Sequence, residues 1–393
     1  MNINFMTSEI NADPYPALQA VREKGRAVFN EMNGEWMITG HDDIMAVLHQ
    51  HRQATLEAQR EDATRMFGGE MLEVKEGPHH HELRNVWARD FSVTEVEKLT
   101  PLVAQIIDEA FDAIELHFAA GESIEAVSQL TRSIPARVIA HLLGIAPEMR
   151  ANVIRWSDDM ADSLSAMLDT SERGDALREG SRIGTMKLRQ HLGDLVAHRR
   201  ANPGDDPISK MVHSAIGKRI GDDELLANCV FLTFAGNETT AKLLATTLVV
   251  LACHPDQRRI LAAERSLIPN AVNEILRYAS VAQVVPRMVV ECPVEAAGRT
   301  FEPGDKLMLL FGAANRDPAR WEDPDRFDIS RKSLRNLGFG FGPHLCLGLN
   351  LARLETAIFI DRLLDRMPSY EVGAVDYGAN FMLRGPQRIE LGR

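Results

Sequence analysis

Apolar residues recur at three- and four-residue spacing along most of the chain. The clearest runs are LTPLVAQIIDEAFDAIELHFAA, IPARVIAHLLGI, DDELLANCVFLTFAGNETTAKLLATTLVVLACH and LARLETAIFIDRLLDRM, and that period predicts helices. Pro101 lies near one start, Gly121 and Gly144 at two stops, and Pro255 just beyond another, all ordinary end signals. Two-residue alternation is confined to EWMITG and VVPRMVVECPVEAAGRTFEPGDKLMLLFG, where Pro and Gly mark turns between short strands. The tail NFMLRGPQRIEL predicts one more hairpin. The pattern gives a mainly α fold with a minor, peripheral antiparallel sheet, without internal repeats.

One helix, from about Asp223 to Cys253, is apolar nearly all round, and such a helix is normally buried. At 1.5 Å per residue it would run roughly 45 Å, far enough to cross a domain. Its polar interruption, AGNETT at 235–240, puts Glu238 amid Phe231, Leu232, Phe234, Leu243 and Leu244. A carboxylate in such company must be satisfied or functional. Thr239 can bond back to a carbonyl one turn earlier and open the helix locally, and Gly236 leaves space against a flat ligand. On an amphipathic surface helix Glu238 would be a solvated turn and Thr239 a packing residue, but this helix is not amphipathic.

Composition narrows the classes. The chain has 393 residues, 45% of them hydrophobic, and a formal net charge of -12 from 56 acidic and 44 basic side chains. A negative average field makes nucleic acid and anionic membrane surfaces poor partners. Four scattered cysteines, Cys229, Cys253, Cys292 and Cys346, form no C-x-x-C pair and no disulfide framework, which points to a reducing cytoplasm. The N-terminal MNINFMTSEINADPYPAL lacks the apolar run of a signal peptide or anchor. The best candidate span is the long helix itself, and Glu238 and Lys242 interrupt it.

Three of the cysteines sit in apolar or strand contexts and read as small core residues. Cys346 differs. The segment FGFGPHLCLG places it at or just before the N-terminus of the helix LNLARLETAIFIDRLLDRM, where free N–H groups and the helix dipole stabilise a thiolate. Gly338, Gly340, Gly342 and Gly348 permit unusual dihedrals and a close backbone approach to something large, and Phe339 can shield one side of the sulfur. A thiolate so held suits an axial iron ligand. The spaced set Phe339, Gly342, His344, Cys346 and Gly348 would arise by chance in on the order of one chain in ten thousand.

With those positions filled, the loop resembles the haem-binding signature of the cytochrome P-450 monooxygenases. The resemblance implies that Cys346 is the metal ligand of a haem b and that His344 donates to a haem propionate. AGNETT resembles the family's A-G-x-E/D-T-T motif on the oxygen side of the haem. It implies a proton-relay role for Glu238 and Thr239, with Ala235 and Gly236 against the cofactor and Asn237 at a variable position. Cleaving O–O needs two protons that a hydrophobic pocket does not supply by itself.

Glu274 and Arg277 in NEILR stand three apart, where helical side chains meet. Alone such a pair is usually a surface ion pair. It resembles the family's E-x-x-R, whose third member is expected at Arg326 in NRDPARWEDPDRFD, bracing the cysteine loop. His80 and Arg84 resemble the H-x-x-x-R propionate clamp, and Arg287 the second propionate arginine. Two carboxylates buried on an apolar ring need such cations. The neighbouring His79 and His81 point about 100° away from His80 on a helix, so the three cannot converge on one ion.

The motifs run from His80 to Cys346, implying one triangular-prism-like domain over 1–393, expected to be a cytoplasmic monomer. The family's pocket segments map to QREDATRMFGGEML, Leu232–Thr240, Ser280–Val285 and Phe381–Met382. Most are apolar, which implies a hydrophobic substrate of terpenoid, steroid or fatty-acyl size. Arg60 and Arg65 are candidates to pair with a substrate carboxylate. Electrons are expected from a ferredoxin or flavodoxin with its own reductase, docking on a basic patch drawn from Arg89, Arg331, Lys332, Arg335 and Arg353. Two other functions stay open: a peroxide-driven peroxygenase on the same fold, and a haem-thiolate sensor or docking module. Peroxygenases can lack the acid–alcohol pair that this chain keeps, and a sensor or docking module would be expected to lose Glu238 or Thr239 and to show no turnover.

Overall fold

The long helix is real and unbroken, running Asp222–Cys253. It threads the main hydrophobic core and packs on the helices Ser133–Leu142, Arg150–Ser165, Glu172–Ala201, Ile268–Tyr278 and Leu349–Arg366. The computed structural model describes residues 1–165, 171–332 and 335–392. Pro101 sits in the first turn of helix Thr100–Ala119, whose end is followed by Gly121 at φ +76°, and Gly144, at φ +71°, follows Ser133–Leu142. Pro255 opens the next helix, Pro255–Ala263. No described helix is long and apolar enough to cross a membrane.

The strands are β1 (Ala27–Asn30), β2 (Glu35–Ile38), β3 (Ala54–Thr55), β4 (Ile124–Glu125), β5 (Val285–Val289), β6 (Val294–Ala296), β7 (Arg299–Phe301), β8 (Lys306–Leu309), β9 (Glu371–Asp376) and β10 (Arg388–Gly392). They form a five-stranded sheet ordered β1-β2-β8-β5-β3, a three-stranded sheet β4-β10-β9 and the ribbon β6-β7. The first sheet packs its own core of Ile38, Val289, Phe301, Leu307 and Leu309.

Two expectations are corrected. The minor β structure is mixed, because β2 and β8, far apart in sequence, pair in parallel. The tail is not a hairpin: β10 pairs with β9 and β4, while residues 380–385 form a separate turn tied to the stretch after helix Ile268–Tyr278 by the bridge Ala282–Leu383. Pro386, lacking an N–H, and the close approach of Gly385 to Lys242 (a Cβ there would lie 2.6 Å from the lysine Cβ) separate that turn from β10.

Candidate functional site

The cysteine loop closes on itself. Cys346 N–H donates to Phe339 C=O at 2.8 Å, and Gly340 and Gly342 turn the chain at φ +73° and +72°, a region open to glycine at no steric cost. Gly348 caps the helix Leu349–Arg366 and its N–H reaches the sulfur. Phe339 packs against the main core under the Arg353 guanidinium, 5.1 Å away. The helix start does not by itself produce a thiolate. Burial pushes the Cys346 thiol up, against the pull of the Gly348 N–H and the charges of Arg84 and Arg353. A metal bound at the sulfur would ionise it, since a coordinating thiol is deprotonated outright.

Behind the loop, helix Ile268–Tyr278 carries the expected pair, fully buried: Arg277 donates to both Glu274 oxygens at 2.8 Å. Its remaining donors reach the carbonyls of Asn315 (3.0 Å), Pro324 (2.7 Å) and Arg326 (3.0 Å). The third member is not Arg326. That side chain is 64% exposed and only approaches Asp328 at 3.5 Å, because the loop turns it outward after presenting its carbonyl inward. Arg331 takes the place, its Nε 3.3 Å from Glu274 Oε1. The brace reaches the ligand loop through Asn336, which donates to Asn273 C=O, and through Asn315, which accepts from Leu337 N–H.

On the facing side, helix Gly77–Trp87 presents His80 and Arg84. Arg84 donates to the Leu345 carbonyl at 2.5 Å, next to the cysteine. The His80 ring lies 4.6 Å from that of His344. Burial, then the nearby charges of His344 and Arg84, lowers His80 to about 4, and its Nε2 is buried without a partner. His344 Nε2 is 3.1 Å from Glu76 Oε1. Arg287 is drawn down to about 10 by burial, in spite of the carboxylates of Glu76 and Glu73. Among the described residues the only hydrogen bond of its guanidinium is to its neighbour's carbonyl, Pro286. Burial likewise raises the Glu73 carboxyl, although that residue keeps accessible surface. His79 is drawn instead to Glu224, and no cluster of three or more metal-ligating side chains exists among the described residues.

Of the motif residues on the long helix, Phe231, Ala235, Gly236 and Thr239 keep partial accessibility while Leu232, Thr233, Phe234, Asn237, Glu238 and Thr240 are buried. Phe231, Ala235 and Thr239 repeat every four residues and so form one stripe. Thr239 Oγ1 donates to Ala235 C=O at 2.8 Å, and the helix stays continuous rather than opening. A Cβ at Gly236 would lie 2.8 Å from the Ile139 side chain, so this glycine permits close helix–helix packing while keeping partial accessibility. Glu238 does not face the cleft alone but is paired with Lys242 at 2.9 Å, both nearly inaccessible. Sequence reasoning noted Lys242 only as an interruption; the i, i+4 spacing was the available signal.

The residues fit a large, flat, dicarboxylate metal cofactor. Such a group would meet a thiol with a moderating N–H, an unpartnered imidazole nitrogen and a desolvated guanidinium that lacks an ion pair among the described residues. The predicted pocket segments also converge. Phe67 packs its ring on Phe231 and Phe234 at 5.3 and 5.7 Å, and the Gln283 N–H donates to Met382 C=O. Arg60 and Arg65 do not point to a ligand: Arg60 pairs with Glu57 and Glu70, and Arg65 with Glu61 and Asp62.

Residues 17–368 match the family model for cytochrome P450. The cytochrome P450 monooxygenase PikC of Streptomyces venezuelae is 32% identical, over 100% of this chain and 94% of its own. P450BioI, solved in complex with an acyl carrier protein carrying hexadec-9Z-enoic acid, superposes with a TM-score of 0.87 at 27% identity, covering 98% of this chain and 100% of that one. CYP109E1 from Bacillus megaterium, solved with testosterone, gives 0.88 at 27% identity over 98% and 99%.

Proposed function

Given that the chain belongs to the cytochrome P450 family as a monooxygenase of the bacterial type, we propose that Cys346 ligates the iron of haem b. The reaction we assign is insertion of one atom of dioxygen into a hydrophobic small molecule of terpenoid, steroid or fatty-acyl size. The observation that carries the reading is the convergence of the Cys346 loop with His80, His344 and Arg287, three side chains whose pairing is incomplete or shared with nearby acids. When bound, the haem supplies dioxygen activation by two electrons and two protons, with water as the second product.

The protein's own contribution is positional. The Cys346 sulfur is aimed by the loop that Arg277 and Arg84 brace from two sides. His80, Arg287 and His344 would hold the two propionates, His344 exchanging Glu76 for a propionate oxygen. Thr239 commits its own hydroxyl proton to Ala235 C=O, so its oxygen is left as an acceptor that orients an incoming proton donor. Glu238 is the acid that takes protons up. Keeping both the acid and the alcohol supports the monooxygenase over the peroxygenase.

The apolar segments around Phe67 and Phe231 support a hydrophobic substrate; testosterone in one structural relative and a fatty acyl group in another suit the steroid and acyl options. Electrons would come from a ferredoxin or flavodoxin with its reductase. The docking patch is narrower than expected, because Arg331 is turned inward. Arg335 is exposed over Phe341, Lys332 is exposed, and Arg353 lies beside the cysteine loop, with Arg89 on the neighbouring surface.

The test is spectroscopic. Reduced protein with carbon monoxide should give the red-shifted Soret band of a thiolate-ligated haem, and Cys346→Ser should shift or remove it while the protein still folds. Folded wild-type protein reconstituted with haem but lacking that band would end the proposal. A panel of steroids, terpenoids and fatty acids screened for Soret shifts then identifies the substrate class.

A further inference from the structure

Lys242 is buried in the core beside the acid motif, and a lysine there is costly unless its charge is matched. It sits one turn beyond Glu238 on the same face of the long helix. Its Nζ lies 2.9 Å from Glu238 Oε1 and donates to the Leu383 carbonyl at 2.7 Å. Leu383 belongs to the turn 380–385, which no helix or named strand includes but which is itself firmly held. Leu383 N–H donates to Asn380 Oδ1 at 3.1 Å, Arg384 N–H donates to Val281 C=O at 2.7 Å, and Phe381 stacks on Phe5. The Arg384 guanidinium reaches the carbonyls of Asn11 and Ala12. Gly385 is what lets this turn come so near: a Cβ there would lie 2.6 and 2.8 Å from Cβ and Cγ of Lys242.

We infer that Lys242 is a positioning residue for proton delivery, a strut that holds the Glu238 carboxylate and joins it to the 380–385 turn. The inference rests on the relay role proposed for Glu238. A carboxylate in an apolar helix has two ways to be tolerated: it takes a proton and becomes neutral, or it keeps a cation beside it. Lys242 places such a cation 2.9 Å from Glu238 Oε1 and fixes where the oxygen lies. The lysine stem is long and flexible, and two bonds at its end, one to the acid and one to a backbone carbonyl, restrict it to one placement. Because the carbonyl comes from the turn that carries Phe381 and Met382, any shift of that turn would act on the same ammonium group that aims the acid. The pocket rim and the proton relay thus share one atom, Lys242 Nζ.

The experiment uses the haem-loaded enzyme with a surrogate ferredoxin and reductase, without added substrate, and follows how reduced dioxygen divides between hydrogen peroxide and water. Four variants are compared: Glu238→Gln, Lys242→Met, Lys242→Arg and Gly385→Ala. Infrared difference spectra of the resting enzymes give a second readout, the C=O stretch of a protonated carboxylic acid. Lys242→Met should slow water formation about tenfold, below the 10²–10⁴ attributed to a whole general acid, and should show a protonated-carboxyl band that vanishes in the Glu238→Gln/Lys242→Met double variant. Lys242→Arg should restore both readouts toward wild type. Gly385→Ala, which leaves both charged groups in place but pushes the turn off the lysine stem, should raise the peroxide share, and it keeps the question answerable if Lys242→Met does not fold. Partition altered by Glu238→Gln but unchanged by Lys242→Met and Gly385→Ala would overturn this inference and leave the relay standing. Partition unchanged by Glu238→Gln would overturn the relay and the inference together.

Discussion

The replacement of Arg326 by Arg331 in the brace behind the cysteine loop makes a graded prediction. Arg331→Ala removes four contacts: Nε to Glu274 and three bonds to the carbonyls of Glu322, Asp323 and Arg326. Glu274 keeps Arg277 and the Asp328 N–H, so no charge is stranded, and the loss is about 2 kcal/mol, the range of a hydrogen bond to a charged group. Arg326→Ala removes a side chain that is 64% exposed with one contact at 3.5 Å, and it spares the backbone carbonyl that Arg277 and Arg331 use. Its cost is under about 0.5 kcal/mol. Arg277→Met removes the two 2.8 Å bonds to Glu274, leaving that carboxylate with Arg331 and the Asp328 N–H, and leaves the Asn315 and Pro324 carbonyls without their donor, about 3–5 kcal/mol in all. With roughly 2 cal/mol/K of unfolding entropy per residue, a chain of this length loses about 1.2 °C per kcal/mol. The expected falls in Tm are therefore roughly 2–3 °C for Arg331→Ala, below about 1 °C for Arg326→Ala, and about 4–6 °C for Arg277→Met. Thermal melts of the haem-loaded proteins, with the carbon monoxide band as a measure of thiolate retention, check the order. A fall for Arg326→Ala equal to or larger than that for Arg331→Ala would refute the reassignment.

Thr239→Ala should keep the thiolate spectrum but divert electrons to peroxide, while Thr239→Ser preserves coupling; equal coupling in Thr239→Ala and wild type counts against the hydroxyl's role. His80 has a pH signature in the haem-free protein. Its pKa is lowered from 6.5 to about 4, so between those values the unfolded chain binds the extra proton and stability falls as pH drops. Denaturant titrations at pH 7, 6 and 5 should show that decline, and His80→Gln should flatten it.

Much of this was legible in the chain, for reasons that differ by element. Helices such as Thr100–Ala119 and Leu349–Arg366 announce themselves because an apolar face at helical period is a local property, and the cysteine loop because its glycines, histidine and cysteine lie within ten residues. What stayed hidden depends on distant pairing. Nothing near Trp36 tells it to run parallel to Leu307, and nothing near Arg388 points to Asp376 or Glu125. Arg326 and Arg331 are equally plausible arginines until a turn directs one outward and the other toward Glu274. The packing of Gly236 on Ile139 was not visible either, because a missing side chain does not say which neighbour lies beside it. Cys346 was expected to be acidic from its helix position, yet desolvation outweighs that local field.

The ion pair inside the long helix also bears on how the molecule is made. Glu238 and Lys242 leave the ribosome well before the carbonyl that completes their coordination, which belongs to Leu383, 141 residues after Lys242. The Arg277 acceptors at 315, 324 and 326 and the cysteine at 346 are late arrivals as well. During synthesis a mostly apolar helix thus waits with its ion pair incompletely coordinated until nearly the whole chain has emerged. The nascent protein is then at its most vulnerable to aggregation, and expression yield should respond more to chaperone supply than the finished enzyme's stability suggests.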